Sequence, residues 1–118
     1  MLPWACRFYI RSIPTPTIHE ALAAFVAERD WAQFHTPENL AKSISIEAAE
    51  LLELFQWSPD ADEQQIQDEL ADVLTYAYLL AARLKLNPDD IVRAKLAKTR
   101  EKYPVEKSRG TSTKYDQL

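Results

Sequence analysis

Gly110 is the only glycine in this chain of 118 residues, and this scarcity constrains the fold more than any other feature. Tight β-hairpin turns and phosphate-binding loops both depend on glycine, because their backbones adopt positive φ values or approach a ligand closely. We therefore expect neither a sheet built from hairpins nor a glycine-rich phosphate loop. A chain of this length is expected to form one domain with a real hydrophobic core.

Helix-start signals predict four helices. A capping residue precedes a proline at Thr36-Pro37, Ser58-Pro59 and Asn87-Pro88, and proline suits the first position of a helix. Thr17 is the predicted cap of an earlier helix. The helices are expected over about 18–33, from Pro37 to about 55, from the acidic stretch after Ser58-Pro59 to about 86, and from Pro88 to about 102.

The short connections between these helices indicate an all-α protein, a four-helix bundle-type protomer with antiparallel neighbours. Residues 1–16 have no clear period and are expected to form an irregular arm, which leaves 17–118 as the domain. Helices two and three also carry apolar residues off their main stripes, namely Ile46, Leu52, Phe55 and Leu79. A single layer of helices cannot hide all of these, so we expect a homo-oligomer with twofold symmetry.

Two acid pairs, Glu47-x-x-Glu50 and Glu69-x-x-Asp72, lie inside otherwise apolar stretches. Residues three apart share one helix face, with Cβ atoms about 5–6 Å apart, so each pair can converge on one point. One such pair alone is more often a solvated surface. Two pairs, at the margins of apolar stripes on neighbouring helices, repel unless a cation lies between them. The pattern predicts a site for a hard divalent cation, Mg²⁺ above all.

The net charge of −4 conceals an asymmetry between the two parts of the chain. Residues 1–92 hold 6 basic and 15 acidic side chains, whereas residues 93–118 hold 8 basic and 3 acidic ones. Two interpretations of the basic end stay open: cations that complement a helix dipole before a solvated tail, or a cluster that meets phosphates. We expect no nucleic-acid partner, because the body is acidic and no reading motif occurs.

The single cysteine, Cys6, allows no internal disulfide and suits a reducing compartment, so we expect a cytoplasmic protein. The apolar start of the chain is interrupted by Arg7 and Arg11 and lacks the continuous core of a secretory signal. No stretch reaches the roughly 18 apolar residues of a membrane span, so no membrane association is expected.

Aromatic residues flank the acid-bearing helix at both ends. Trp31 and His35 precede it, Trp57 follows it, and Tyr76 lies four residues after Asp72. Such rings are often core caps at helix ends. They can equally stack on a planar ligand such as a nucleobase, and the sequence leaves both interpretations open.

Several motifs together resemble a known family. They are Glu28-Arg-Asp-Trp31, Gln33-Phe-His35, Glu47-Ala-Ala-Glu-Leu51, Glu53-Leu-Phe-Gln-Trp57, Asp68-Glu-Leu-Ala-Asp-Val-Leu74 and Lys102-Tyr-Pro-Val105. Over about residues 18–115 the chain resembles the MazG-like all-α nucleoside triphosphate pyrophosphatases, and within them the dCTP pyrophosphatase branch.

The resemblance implies hydrolysis of a (d)NTP, dCTP or a modified cytosine nucleotide, to the monophosphate and pyrophosphate, as a house-cleaning activity. It implies that the metal is held by Glu47, Glu50, Glu69 and Asp72, that Trp31, His35, Trp57 and Tyr76 lie near the base, and that Lys95 and Tyr103 approach the ligand. On chemical grounds we expect Glu47 or Glu50 to be the catalytic carboxylate, and Lys98 or Arg100 to help Lys95 neutralise the phosphates. Dimers or tetramers are usual in the family, and a neighbouring subunit helps to build the site. Thr99 stands where many relatives have asparagine.

Two other functions are considered. A di-iron carboxylate bundle needs Glu-x-x-His on two helices, whereas His19 and His35 lie outside predicted helices two and three. A non-catalytic, oligomeric nucleotide-binding module would keep the tryptophans but would not need the four acids. The acid quartet therefore favours the enzyme.

Overall fold

The computed structural model describes residues 14–118, and every regular element within that range is helical. The helices are α1 (Ile18–Glu28), α2 (Pro37–Glu53), α3 (Glu63–Arg83), α4 (Pro88–Lys102) and the short α5 (Val105–Ser108), with 3₁₀ turns at Ala32–Phe34 and Tyr115–Gln117. The prediction of an all-α protein is confirmed. The predicted arm, residues 1–16, lies outside the described residues except for 14–16, which precede α1 without regular structure.

Three helix starts form where the sequence predicts them. The side chains of Thr17, Thr36 and Asn87 each accept a hydrogen bond from the backbone N–H three residues on, at 3.2, 3.1 and 3.0 Å. Pro37 and Pro88 occupy the first helical positions of α2 and α4. Each cap satisfies one of the N–H groups that a helix leaves without an internal partner, which is why these starts can be predicted locally.

Other helix ends differ from the prediction. Helix α1 ends at Glu28, about five residues early, because Asp30 adopts a φ of 52° and turns the chain out of the helix. Helix α3 begins only at Glu63, where the Asp62 carboxylate accepts from the N–H of Gln65 at 3.0 Å. Ser58, the predicted cap, instead forms a local turn with the N–H of Asp60 at 3.1 Å.

The chain divides into two compact units, residues 1–32 and residues 33–118. In the first unit, as far as it is described, Val26 of α1 is buried and Leu22 is half-buried. Phe25 of the same helix is 43% exposed.

In the second unit, α2 and α3 form the closely packed pair. Leu40 of α2 is only 1% exposed. Four other apolar residues at helical spacing on α2 and α3 are half-buried, namely Ile44, Leu51, Ile66 and Val73. This pairing brings the two acid-bearing helices side by side, and it is the part of the fold that positions the candidate site.

Large apolar side chains remain exposed on the second unit. They include Ile46 and Leu52 on α2, Leu70 and Leu74 on α3, and Ile91, Val92 and Leu96 on α4. Within residues 14–118 the buried hydrophobic residues are Val26, Leu40 and Ala81, which is a small core for a chain of this length. These exposed apolar side chains are the surface that the prediction of a homo-oligomer would bury. A search of the described helices finds none that is long and apolar enough to cross a membrane.

Candidate active site

Three acidic side chains meet between α2 and α3. Glu47 and Glu50 lie one turn apart on α2, and Glu69 lies on α3. One carboxylate oxygen from each can be chosen so that all three lie within 4.8 Å of one another. Asp72, one turn beyond Glu69, is close enough to raise the pKa of both Glu47 and Glu69. The structure thus places the four predicted ligands in one region, with three of them in direct proximity.

The trio is partly removed from water. The side chains of Glu47 and Glu69 are half-buried, whereas Glu50 and Asp72 are exposed. The Oε2 atoms of Glu47 and Glu69 are buried, and neither has a hydrogen-bond partner. A buried carboxylate oxygen without a partner is costly, because it has lost its contacts with water and gained none in return. These two oxygens are therefore candidates for coordinating a cation.

The electrostatics of the cluster agree with its geometry. Burial, together with the neighbouring Glu50 carboxyl and then the charges of Asp72 and Glu69, raises the pKa of Glu47 from 4.5 to about 7. Burial and the Glu50 carboxyl likewise raise the pKa of Glu69. Both pKa shifts have the same causes: burial disfavours the charged carboxylate, and the neighbouring acids add negative charge without a compensating cation among the side chains of the cluster.

The donor set fits a hard divalent cation. All candidate ligands are carboxylate oxygens, which Mg²⁺ and Ca²⁺ prefer, and no described histidine or cysteine joins the cluster. The partnerless Oε2 atoms of Glu47 and Glu69 supply two ligand positions, and exposed Glu50 and Asp72 leave one side of the cluster open. Open access is what a metal needs if it is to hold a substrate as well as the protein.

Trp31 is held by its own helix end. Its ring meets Phe25 edge to face, with centroids 5.5 Å apart and planes at 79°, and its backbone N–H donates to the carbonyl of Val26 at 3.1 Å. The Arg29 guanidinium lies 3.9 Å from the Phe25 ring centroid and donates to the Phe25 carbonyl at 3.0 Å. With 43% of its surface exposed, Trp31 retains a face for a ligand.

The supporting role of Phe25 and Arg29 was missed in the sequence analysis. Their i, i+4 spacing on α1 was the signal that could have revealed it, because side chains so spaced meet on one helix face.

The other predicted base contacts differ in their exposure to solvent. Trp57 follows α2 and is 90% exposed, whereas His35 and Tyr76 are half-buried. The ring contacts among residues 14–118 join Phe25 to Trp31 and Tyr103 to Tyr115, and neither Trp57 nor His35 takes part in them. A tryptophan left almost fully in solvent has a free face for stacking, but the protomer alone does not build a closed pocket around it.

The predicted phosphate contacts lie on α4 and at its end. Lys95 lines a shallow apolar depression with Ile91, Val92, Leu96 and Thr99, while Lys98 and Arg100 are exposed and Tyr103 caps the helix. Within the described range, no ion pair of 4.0 Å or less involves Lys95, Lys98 or Arg100. Among residues 14–118 these cations are thus unpaired and do not contact the acids of the cluster.

Thr99 differs from the asparagine that the family resemblance leads one to expect. Its hydroxyl donates to the backbone carbonyl of Lys95 at 3.1 Å, within its own helix. This side chain is shorter than that of asparagine, and its hydroxyl proton is engaged within α4.

The chain matches the model of the MazG-like family over residues 42–118. This range contains all four acids of the candidate site and the whole of α3 and α4. It begins after Trp31 and His35, so two of the predicted base contacts lie outside the matched range.

Mammalian relatives extend the similarity towards the start of the chain. It is 41% identical to dCTP pyrophosphatase 1 of Bos taurus, across 94% of this chain and 72% of the relative. For dCTP pyrophosphatase 1 of Homo sapiens the identity is 39%, across 89% of this chain and 69% of the relative.

A solved structure adds the comparison of folds. A crystal structure of a pyrophosphatase from Archaeoglobus fulgidus superposes with a TM-score of 0.67 at 40% sequence identity. The match covers 78% of this chain and 98% of the archaeal one. Similarity in sequence and similarity in fold therefore point to the same group of proteins.

Proposed function

The chain belongs to the MazG-like family and is a nucleoside triphosphate pyrophosphatase, and we propose that it hydrolyses dCTP or a modified cytosine nucleotide with Mg²⁺ as its cofactor. The products are the nucleoside monophosphate and pyrophosphate. The observation that carries the proposal is the convergence of Glu47, Glu50 and Glu69 between α2 and α3, where two buried carboxylate oxygens lack partners. The mammalian relatives named dCTP pyrophosphatase 1 support the choice of base.

The metal belongs in the acid cluster. Glu47, Glu50, Glu69 and Asp72 are the residues that would hold it, since they are the carboxylates of one region and their mutual repulsion favours a cation. When bound, Mg²⁺ polarises phosphate oxygens and offsets the negative charge that develops during hydrolysis.

Side chains of the protein accept the proton and stabilise the leaving group. Glu47 or Glu50 positions the attacking water and accepts a proton from it. The oxygen of the water bonds to a phosphorus atom of the anhydride, and the bond between the α and β phosphates breaks. Lys95, with Lys98, Arg100 and Tyr103, neutralises and orients the departing pyrophosphate. Trp31, His35, Trp57 and Tyr76 bind the base by stacking and polar contact. Stacking tolerates any base, so preference for cytosine comes from contacts to its edge.

The complete site needs a second copy of the chain. In the protomer the cations of α4 do not contact the acids, and the apolar residues Ile91, Val92 and Leu96 of the same helix are exposed. Burying this face in a homo-oligomer, a dimer or a dimer of dimers, removes apolar surface from water. The same assembly can bring α4 of one copy to the acid cluster of another.

We further propose that residues 17–118 are the catalytic domain, that residues 1–16 are an appended arm, and that the enzyme cleans the nucleotide pool of the cytoplasm. The reducing compartment is supported by the single cysteine of the chain.

The test is a release assay for pyrophosphate over a panel of dNTPs and NTPs with and without Mg²⁺. We expect Mg²⁺-dependent release that is fastest with a cytosine deoxynucleotide. Glu69→Gln should abolish it, whereas Glu38→Gln, on the exposed first turn of α2, should leave it intact. Nucleotide binding without pyrophosphate release from any substrate would contradict the enzyme and favour a binding module.

A further inference from the structure

The C-terminal tail, residues 109–118, is turned back by the only glycine of the chain. Arg109 has φ −61° and ψ 124°, Gly110 has φ +77°, and the N–H of Thr111 donates to the carbonyl of Ser108 at 3.2 Å. These angles and this bond define a type II turn, whose third residue must take a positive φ. Glycine is favoured there because it has no Cβ to clash with its own backbone.

The reversed tail reaches the end of α4. The Tyr115 ring meets the Tyr103 ring edge to face, with centroids 6.0 Å apart and planes at 77°. On the same ring, the Lys102 ammonium lies 4.8 Å from the centroid, within range of a cation–π interaction. A 3₁₀ turn over Tyr115–Gln117 fixes the backbone that carries this ring.

Tyr103 stands at the end of α4, where the helical backbone stops. It caps α4 with φ −120° and ψ 70°, outside helical geometry, and Pro104 prevents the helix from continuing. Its ring is half-buried, and the ring contact it makes among the described residues is the one with Tyr115. A side chain that must meet a ligand from a helix end gains precision when a neighbour restricts its rotamers.

We propose that Tyr115 is a positioning residue, which holds the ring of Tyr103 in place for the triphosphate and is itself held at the end of α4 by the Lys102 ammonium. This inference rests on the proposed function, in which Tyr103 approaches the phosphates of the substrate. Tyr115 itself does not touch the substrate. Gly110 also contributes to this positioning, because the turn at Gly110 directs the backbone so that Tyr115 contacts the end of α4.

The test compares Tyr115→Ala with Tyr115→Phe in steady-state kinetics. The alanine variant loses both ring contacts, so we expect KM to rise about three- to tenfold with little change in kcat, the size of effect that an aromatic pair supports. Phenylalanine keeps the edge-to-face contact and the face for Lys102, so it should restore the wild-type KM. Lys114→Gln is the matched control in the tail, since its ion pair with Asp116 does not involve Tyr103.

Gly110 supplies an independent pair of variants. A Cβ added at Gly110 would meet no atom within 4 Å, so the cost of a substitution there comes from the positive φ and not from crowding. Gly110→Ala should therefore loosen the turn and reproduce part of the KM increase. Gly110→Asn should behave as the wild type, because asparagine tolerates the left-handed region better than alanine.

A spectroscopic readout separates positioning from general damage. With ring-labelled tyrosine, the NMR signals of Tyr103 should shift in Tyr115→Ala and stay in place in Tyr115→Phe, while the far-UV circular dichroism of both variants matches the wild type. An unchanged KM in Tyr115→Ala, or an equally large increase of KM in Tyr115→Phe, would overturn the positioning role. The proposed function would still stand. A wild-type protein without pyrophosphate release would overturn both.

Discussion

In a single protomer, the candidate metal ligands of α2 and α3 lie close together, whereas the candidate phosphate contacts of α4 do not contact them. Between α2 and α3 the packing is close, Leu40 is buried, and three carboxylates already converge. Helix α4 carries the candidate phosphate contacts, yet Ile91, Val92 and Leu96 remain exposed and Lys95 has no acidic partner. The proposed metal half of the site is thus assembled within one folded protomer. We infer that the phosphate half is completed by assembly, and this division makes separate predictions for the two regions.

The largest effect on activity is expected in the metal half of the site. Glu47→Gln and Glu69→Gln keep the side-chain size but remove a negative ligand, and each should lower kcat by on the order of 10²-fold or more. Pyrophosphate release at saturating Mg²⁺ measures this loss, with Glu38→Gln as the control on the same helix. The metal-free variants should also be no less stable than the wild type, because each relieves repulsion. Full activity in either variant would refute the assignment of the site.

A smaller effect is expected from α4, where the function depends on a second copy. Leu96→Asp places a charge on the exposed apolar face and should weaken self-association by about 30-fold or more, as loss of a central apolar contact does. Sedimentation velocity across a dilution series measures the change, and activity should fall with the oligomer. Ala97→Asp is the matched control, because Ala97 does not line the apolar depressions of α4. Equal behaviour of the two variants would show that this face is not the interface.

Substrate affinity should respond more modestly to the base contacts. Trp57 is almost fully exposed in the protomer, so its replacement costs little stability and reports on the ligand alone. Trp57→Ala should raise KM by about tenfold, the range of one stacking contact, whereas Trp57→Phe should retain most of the affinity. A KM that is indifferent to both substitutions would remove Trp57 from the base site.

The mildest effect is that of pH on the acid cluster. Because folding raises the pKa of Glu47 to about 7 and also raises that of Glu69, the metal-free folded state binds protons more tightly than the unfolded chain. The stability contributed by these groups is therefore present at low pH and lost as pH rises from 4.5 towards about 7.

Mg²⁺ competes with those protons, so its affinity should move in the opposite direction. It should increase by a few-fold per pH unit up to about pH 7 and then level off. Titrations with Mg²⁺ on both sides of neutrality measure this slope, and Glu47→Gln should flatten it. A steep increase that continues well above neutrality would assign the titration to another group.

The features predicted from the sequence are those set by local chemistry. The caps at Thr36 and Asn87 need only a side chain and the first turn of their own helix, and both form as expected. The convergence of the acids also follows from local periodicity, because residues three apart share a helix face and adjacent helices in a short chain pack together.

The features that were missed depend on backbone angles or on distant contacts. Helix α1 ends early because Asp30 adopts a positive φ, which neither periodicity nor a proline signals. The fold of the tail depends on the contact between Tyr115 and Tyr103, twelve residues apart, which no local pattern signals. The scarcity of glycine was used as evidence against sheets. The position of Gly110 itself also indicates a turn, and this turn directs the tail back to α4.

The central claim is that the carboxylates of α2 and α3 form a metal site that a nucleotide completes. Isothermal titration of Mg²⁺ into the protein with a non-hydrolysable dCTP analogue tests it most directly. We predict saturable Mg²⁺ binding with release of protons from the cluster, and loss of both signals in Glu47→Gln and Glu69→Gln. Absence of Mg²⁺ binding by the wild type with the analogue, or binding that the two substitutions leave unchanged, would contradict it.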